Sequence, residues 1–282
     1  MTTFYQKLSA IIKKQNSLLC VGLDSDFEKL PKHLKTKKNP QFLFNKAIIE
    51  ATHDLVCVYK PNTAFYESLG AEGIEDLYKT CKYLIKHYPE IVLIIDAKRA
   101  DIGNTNNGYA AFVFDYLGAD AVTLHPYLGQ EAIQPFLDRK DKGSIILCRT
   151  SNKGAGEFQD LRVNGKPLYQ VIAKQIVKKW NTNNNCGLVA GANYPEELKK
   201  IRKIAPNLPL LIPGIGAQGG DVEKTIKAGV DQKGSNAIIN ASRSIIFAGN
   251  GKDFAKKAKI EAEKLRDQIN SVRVNLARKT TK

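Results

Sequence analysis

The 282-residue chain lacks several things, and each absence narrows what it can be. Its longest apolar runs, such as IVLII at 91–95, are far too short to span a bilayer, so no membrane role is expected. The opening MTTFYQKLSAIIKKQN alternates polar and apolar residues and has no apolar segment of the signal-peptide kind, so a cytoplasmic protein is expected. The cysteines, Cys20, Cys57, Cys81, Cys148 and Cys186, form no CxxC pair, and an odd number argues against a disulfide framework. Reduced structural thiols that behave as small hydrophobes are the plain reading. His33, His53, His87 and His125 show no HxH or HExxH spacing, so no metal site is expected. Nor is there a GxSxG elbow or a Cys/His nucleophile pair.

Charge of one sign is scarce: acidic residues number 28 against 43 basic, a net +15. Such a balance invites a nucleic-acid partner. The basic residues are spread along the chain, however, and are densest at Lys29–Lys38 and from Lys252 to Lys282. The second cluster is mixed with Glu261, Glu263 and Asp267, as on a solvated helix face. No aromatic residues interleave with the basic ones as a base-stacking platform requires, so nucleic acid is not an expected partner. Part of the positive field instead suits an anionic substrate.

What is present is regular. Eight apolar runs recur, at 17–24, 55–60, 91–96, 120–125, 144–149, 186–191, 208–213 and 235–240. Their near-continuous Val, Ile and Leu content predicts strands buried on both faces of a parallel sheet. Helical spacing of apolar residues marks 40–53, 74–87, 105–117, 167–180, 195–204 and 221–228 between them. A further helix at 2–15 precedes the first strand, and one at 252–270 follows the last. With no composition shift to mark a linker, the pattern predicts one (β/α)₈ barrel domain over 1–282, with an extra N-terminal helix and a core over about 17–270. Residues 271–282 are expected to fray. A doubly wound open sheet is the alternative.

In such barrels the chemistry sits where strands end. The first strand ends at Asp24, in a DSD triplet where Asp26 can cap a helix. Lys60 closes the second, and a lysine closing a core strand must find a partner or reach water. DAKRADIGNT, Asp96 to Thr105, follows the third. Asp96 and Lys98 are two apart and face one side if the strand persists. Asp101 and Thr105 share a face if the next helix starts near Asp101. Lys60, Asp96, Lys98 and Asp101 could then alternate in sign, each supporting its neighbour's charge. Lys98, between two carboxylates, would be an ammonium able to donate a proton. A salt-bridged surface turn is the bland reading of the same residues.

After the seventh strand, PGIGAQGGD (Pro213 to Asp221) formally matches a dinucleotide fingerprint, but that fingerprint belongs on a first strand. A glycine loop opening a helix at Asp221 suits a phosphate alone. Arg243, after the eighth strand, could clamp the same phosphate, unless the two features are only a tight turn and a surface arginine. The long polar stretch from Arg149 to Gly165 suggests a lid, with Ser151 and Asn152 at its root able to bond a polar ring. His125 ends the fourth strand beside this face, most simply as a structural residue.

Taken together, Asp24, Lys60 in YKPNTAFYE, DAKRADIGNT, RTSNKGAG, PGIGAQGGD and ASR resemble the orotidine 5′-phosphate decarboxylases, in particular their longer, second bacterial subfamily. The resemblance runs in order from about residue 17 to 247. It implies conversion of orotidine 5′-phosphate to uridine 5′-phosphate and CO₂, the last step of de novo pyrimidine synthesis, with no metal and no organic cofactor. It also implies a (β/α)₈ homodimer with sites at the subunit interface. Carried over, Lys98 donates a proton to C6 and Asp96 lies against the departing carboxylate. Lys60 holds the charge network and one ribose hydroxyl, and Asp24 holds another. Asp101 and Thr105 come from the partner subunit, and Ile102 beside them is a substrate-binding position. Ser151 meets the pyrimidine, while Gln218 and Arg243 meet the phosphate. Two departures stand out: Lys153 replaces a usual proline at the lid root, and Ser242 a frequent glycine. The alternatives are a Mg²⁺-dependent sugar-phosphate barrel sharing D-x-K-x-x-D, such as a hexulose-6-phosphate synthase or a ketogulonate-phosphate decarboxylase, and a catalytically dead barrel that binds a phosphate ligand.

Overall fold

The computed structural model describes residues 2–216 and 219–280. Each of the eight apolar runs coincides with one parallel strand, some extending past the run: β1 (Leu19–Gly22), β2 (Val58–Lys60), β3 (Val92–Arg99), β4 (Ala121–Leu124), β5 (Gly143–Arg149), β8 (Cys186–Ala190), β9 (Leu210–Pro213) and β10 (Ala237–Ala241). They close into a barrel in the order β1-β2-β3-β4-β5-β8-β9-β10, with Leu19 of β1 opposite Ile239 of β10. Between β5 and β8 lies a small antiparallel hairpin, β6 (Arg162–Val163) and β7 (Lys166–Pro167). Both faces of the barrel strands are buried, which is why their sequences do not alternate.

The helices differ from expectation in three places. Gly129–Leu137, between β4 and β5, has no counterpart in the helical spacing read from sequence. Its internal Pro135, which cannot donate to the turn before it, argues against a helix in the sequence. The N-terminal helix, Phe4–Gln15, belongs to the core instead of lying outside it. Phe4, Leu8, Ile11 and Ile12 are buried, Lys7 Nζ meets Asp120 Oδ2 at 2.6 Å, and a Cβ on Gly143 would meet the Phe4 ring at 2.6 Å. The last helix runs Phe254–Thr280, so the stretch expected to fray is helical through Thr280. Arg273 Nε donates to Gly234 O at 2.8 Å, and Val272 packs on the core. No helix among the described residues is long and apolar enough to cross a membrane.

One buried cation holds the end of the barrel away from the strand C-termini. Arg202, only 8% exposed, donates to five carbonyls: Gly229 (2.9 Å), Ala205 (2.9 Å), Pro206 (3.2 Å), Leu208 (2.8 Å) and Asn236 (2.6 Å). These carbonyls precede β9 and β10 and lie in the turns that feed them. Burial pushes the guanidinium down to about 10, against the pull of Asp231, so it stays charged at neutral pH. Arg202→Met should strand several buried acceptors and cost about 3–4 kcal/mol of stability. A urea titration with an unshifted midpoint would show that these bonds are dispensable.

Candidate active site

Four charged side chains meet at the C-terminal ends of β1, β2 and β3. Lys60 Nζ lies 3.0 Å from Asp96 Oδ2 and 3.8 Å from Asp24 Oδ1. Lys98 Nζ lies 2.7 Å from Asp96 Oδ1. The signs alternate along Asp24–Lys60–Asp96–Lys98. The array expected within one chain had Asp101 at its end; here Asp24 takes the place at the other end, and Asp101 does not join.

Burial raises the proton affinity of Asp96, but the Lys60 and Lys98 ammoniums outweigh it and hold the carboxyl far below the usual carboxylate range. For Lys60 burial acts downward, and Asp24 and Asp96 reverse it to a net rise. Both groups are therefore ionised at neutral pH. The lysines differ in access: the Lys98 side chain is 47% exposed, that of Lys60 only 4%. Lys98 is the cation that a reacting atom can reach.

The backbone under Lys98 is unusual. Its φ is +47°, a left-handed conformation rare for residues with a side chain. Pairing of β3 with β4 shifts register there: Ile95 faces Val122 and Arg99 faces Leu124, so Asp96, Ala97 and Lys98 oppose the single residue Thr123. The strand continues to Arg99, but through a bulge, which re-aims side chains at strand ends.

Asp24 is tied across the barrel seam. Ser242 Oγ donates to its Oδ2 at 2.6 Å, while Oδ1 is buried without a hydrogen-bond partner among the described residues. Asp26 caps the 3₁₀ turn Phe27–Lys29, accepting from Glu28 N at 3.1 Å. In the glycine loop, Gly214 (φ +113°) and Gly216 (φ +79°) adopt conformations that favour glycine, and a Cβ on Gly216 would meet Ser244 Oγ at 2.5 Å. Asp221 then caps Val222–Gly229 by accepting from Lys224 N at 2.9 Å.

The charge chain lines one cavity of about 580 Å³. Asp24, Lys60, Asp96, Lys98, Ser151, Asn152, Gly214 and Arg243 all border it, beside the apolar Leu147, Val189 and Leu211. The order of the ring puts β9 four strands from β3, so the glycine loop faces the charge chain across the barrel mouth. Gln218 lies outside the described residues. The stretch after β5 is built as a 3₁₀ turn (Lys153–Ala155), a one-turn helix (Gly156–Gln159) and the β6–β7 hairpin. Arg149 anchors it: Nη2 meets Asp160 Oδ2 at 3.1 Å, and the guanidinium lies 4.0 Å from the Tyr194 ring centroid.

Asp101, Ile102 and Thr105 do not border this cavity. The helix after β3 is Gly103–Ala110, so Asp101 precedes it and does not share a helical face with Thr105. Asp101 Oδ1 accepts from Ile102 N at 2.7 Å, and Asn106 holds the Asp101 backbone against Ala132 of the helix Gly129–Leu137. Ile102 is 61% exposed and Thr105 is exposed. His125 also stays off the cavity; its Nδ1 accepts from Tyr127 N at 3.3 Å. Among the side chains on this charge chain, Thr123, Asn62 and the hydroxyl of Ser242 escaped sequence reasoning. The only signal for Thr123 was a lone hydroxyl in the apolar run DAVTLH.

Comparison with known proteins shows the family. The chain is 50% identical over 273 residues to an orotidine 5′-phosphate decarboxylase of Cellvibrio japonicus, covering 96% of this chain and 99% of that one. It is 48% identical over 268 residues to the orotidine 5′-phosphate decarboxylase of a Janthinobacterium species, covering 95% and 98%. The solved OMP decarboxylase of Leishmania donovani superposes with a TM-score of 0.84 at 36% identity, covering 97% of this chain and 99% of that one. Residues 17–258 match the profile of a single family, and on that span the chain belongs to the orotidine 5′-phosphate decarboxylase / HUMPS family.

Proposed function

We propose that the chain is a carboxy-lyase that converts orotidine 5′-phosphate to uridine 5′-phosphate and CO₂, the last step of pyrimidine nucleotide synthesis. The observation that carries this is the reachable Lys98 ammonium fixed 2.7 Å from an ionised, largely buried Asp96. Breaking the C6–carboxylate bond leaves an electron pair in the plane of the ring, which the ring's π-system cannot delocalise. A fixed cation beside C6 stabilises that pair as it forms. Lys98 then passes a proton to C6 and is reprotonated from solvent. The Asp96 carboxylate, held charged, opposes the substrate carboxylate, and departure of neutral CO₂ relieves the repulsion.

The remaining residues bind. Asp24, whose Oδ1 accepts no hydrogen bond among the described residues, is an acceptor for one ribose hydroxyl, and Lys60 is a donor to another. Ser151 serves the pyrimidine. Arg243 serves the phosphate together with the glycine loop, where Gln218 also belongs. No organic cofactor or metal is needed for these roles. Asp101, Ile102 and Thr105, turned away from their own cavity, complete the site of a second subunit in a homodimer. Five buried free thiols suit the reducing cytoplasm.

The test is the ultraviolet absorbance change of orotidine 5′-phosphate with purified protein, with and without EDTA. Turnover insensitive to EDTA is expected. EDTA-sensitive turnover of a sugar phosphate instead would move the chain to the Mg²⁺-dependent branch, and no turnover with retained phosphate-ligand binding would make it a catalytically dead barrel. Arg243→Ala should raise KM about 100-fold and lower kcat much less, because the phosphate is distant from C6. An unchanged KM would remove Arg243 from the phosphate site.

A further inference from the structure

We infer that Thr123 is a positioning residue that sets the Asp96–Lys98 pair from the neighbouring strand; this deepens the decarboxylase reading and rests on it. Thr123 lies on β4, 1% exposed, opposite the three-residue bulge that carries Asp96 and Lys98. Its hydroxyl makes two bonds. The backbone N–H of Lys98 donates to Oγ1 at 3.0 Å, and Oγ1 donates to Asp96 Oδ1 at 2.7 Å. The directions are forced, because an N–H can only donate and an ionised carboxylate can only accept.

A buried threonine in a strand most often satisfies its hydroxyl on nearby backbone, with no consequence beyond stability. This one differs in what it joins. The bulge takes the Lys98 N–H out of the β3–β4 ladder, and the hydroxyl replaces the lost acceptor where the backbone holds φ +47°. The same oxygen aims the carboxylate oxygen that Lys98 Nζ also contacts at 2.7 Å. Lys98 is thus referred to Asp96 at both ends, through its own ammonium and through Thr123 at its backbone. The other carboxylate oxygen receives Lys60 at 3.0 Å and Asn62 at 3.5 Å.

Removing the hydroxyl frees one lone pair of Asp96 and unties Lys98, without touching the ribose or phosphate contacts. In Thr123→Val, kcat should fall about 100-fold while KM stays within about threefold, the split for a group acting only on the reacting pair. Thr123→Ser, which keeps the hydroxyl, should return kcat to within about threefold of wild type. The acid limb of the kcat–pH profile should move to higher pH in Thr123→Val. The hydroxyl bond favours ionised Asp96, so its loss raises the pKa of that group. The other groups around Asp96 are unchanged: Lys60 of β2 and Lys98 of β3 directly, Cys20 of β1, and Asp24 just after β1 acting on Lys60.

Wild-type turnover is the control for the underlying reading; its absence would count against the decarboxylase, not against Thr123. With an active wild type, a folded Thr123→Val with unchanged kcat and pH profile overturns the inference. So does a Thr123→Ser as impaired as the valine variant. Thr123→Ala guards against a folding failure peculiar to valine, and loss of fold in both variants would assign Thr123 to stability alone and equally overturn it.

Discussion

Lys98→Ala should abolish decarboxylation, lowering kcat by at least about 10⁴-fold, while uridine 5′-phosphate still binds. Two contributions vanish with one side chain. The carbanion loses the cation that offsets its charge, and C6 loses its proton source. Lys60 cannot substitute, because its side chain is 4% exposed and its ammonium is paired with Asp96 and Asp24. The fold should persist: Lys98 is half-exposed, and alanine bears the φ +47° conformation no worse than lysine does. Asp96 keeps Lys60 and Thr123, but with one cation gone its pKa should rise from its depressed position. Single-turnover kinetics and calorimetric binding of the product separate the two outcomes. A near-normal kcat would remove Lys98 from the chemistry.

Mixing two inactive variants should restore activity. Asp101 and Thr105 do not border their own cavity, and Ile102 between them is exposed. If a two-fold dimer passes Asp101 into the partner's site, each site joins Lys98 of one chain to Asp101 of the other. Lys98→Ala and Asp101→Ala homodimers should then both be nearly inactive. Unfolded together and refolded, they form mixed dimers in which one site carries both substitutions and the other carries neither. With random pairing, half the dimers are mixed and half of their sites are intact, so activity should recover to about one quarter of wild type. If Asp101 instead serves its own chain's site, every site stays damaged and mixing restores nothing. Subunit exchange confirmed by mass spectrometry makes that null result decisive.

Both predictions start from residues visible in the linear chain, and the reasons they were visible are local. Burial on both faces of a strand leaves a continuous apolar run, so all eight barrel strands could be placed before any contact was known. A lysine or aspartate at the end of such a run must find a partner or reach water, which singled out Asp24, Lys60 and Asp96. Helix Gly129–Leu137 was not read from the sequence, because Pro135 inside it argues against a helix. The core membership of Phe4 was not legible either. The helix is amphipathic in sequence, but nothing local says that its face packs on β5 through Gly143.

Residue types and their order along the chain thus determined the strands, the barrel and the presence of opposed charges at the catalytic face. Only the closed barrel decided which charges meet. Lys60 is bounded by Asp24 and Asp96 because β1, β2 and β3 are adjacent, and Lys98, expected between two carboxylates, pairs with Asp96 and not with Asp101. Ser242 reaches Asp24 from 218 positions away because β10 closes on β1. Thr123 faces three residues with one because β4 pairs with β3 out of step at that point. Periodicity and composition are properties of a segment and survive in the sequence. Register between strands is a property of their pairing, and it exists only once the sheet has closed.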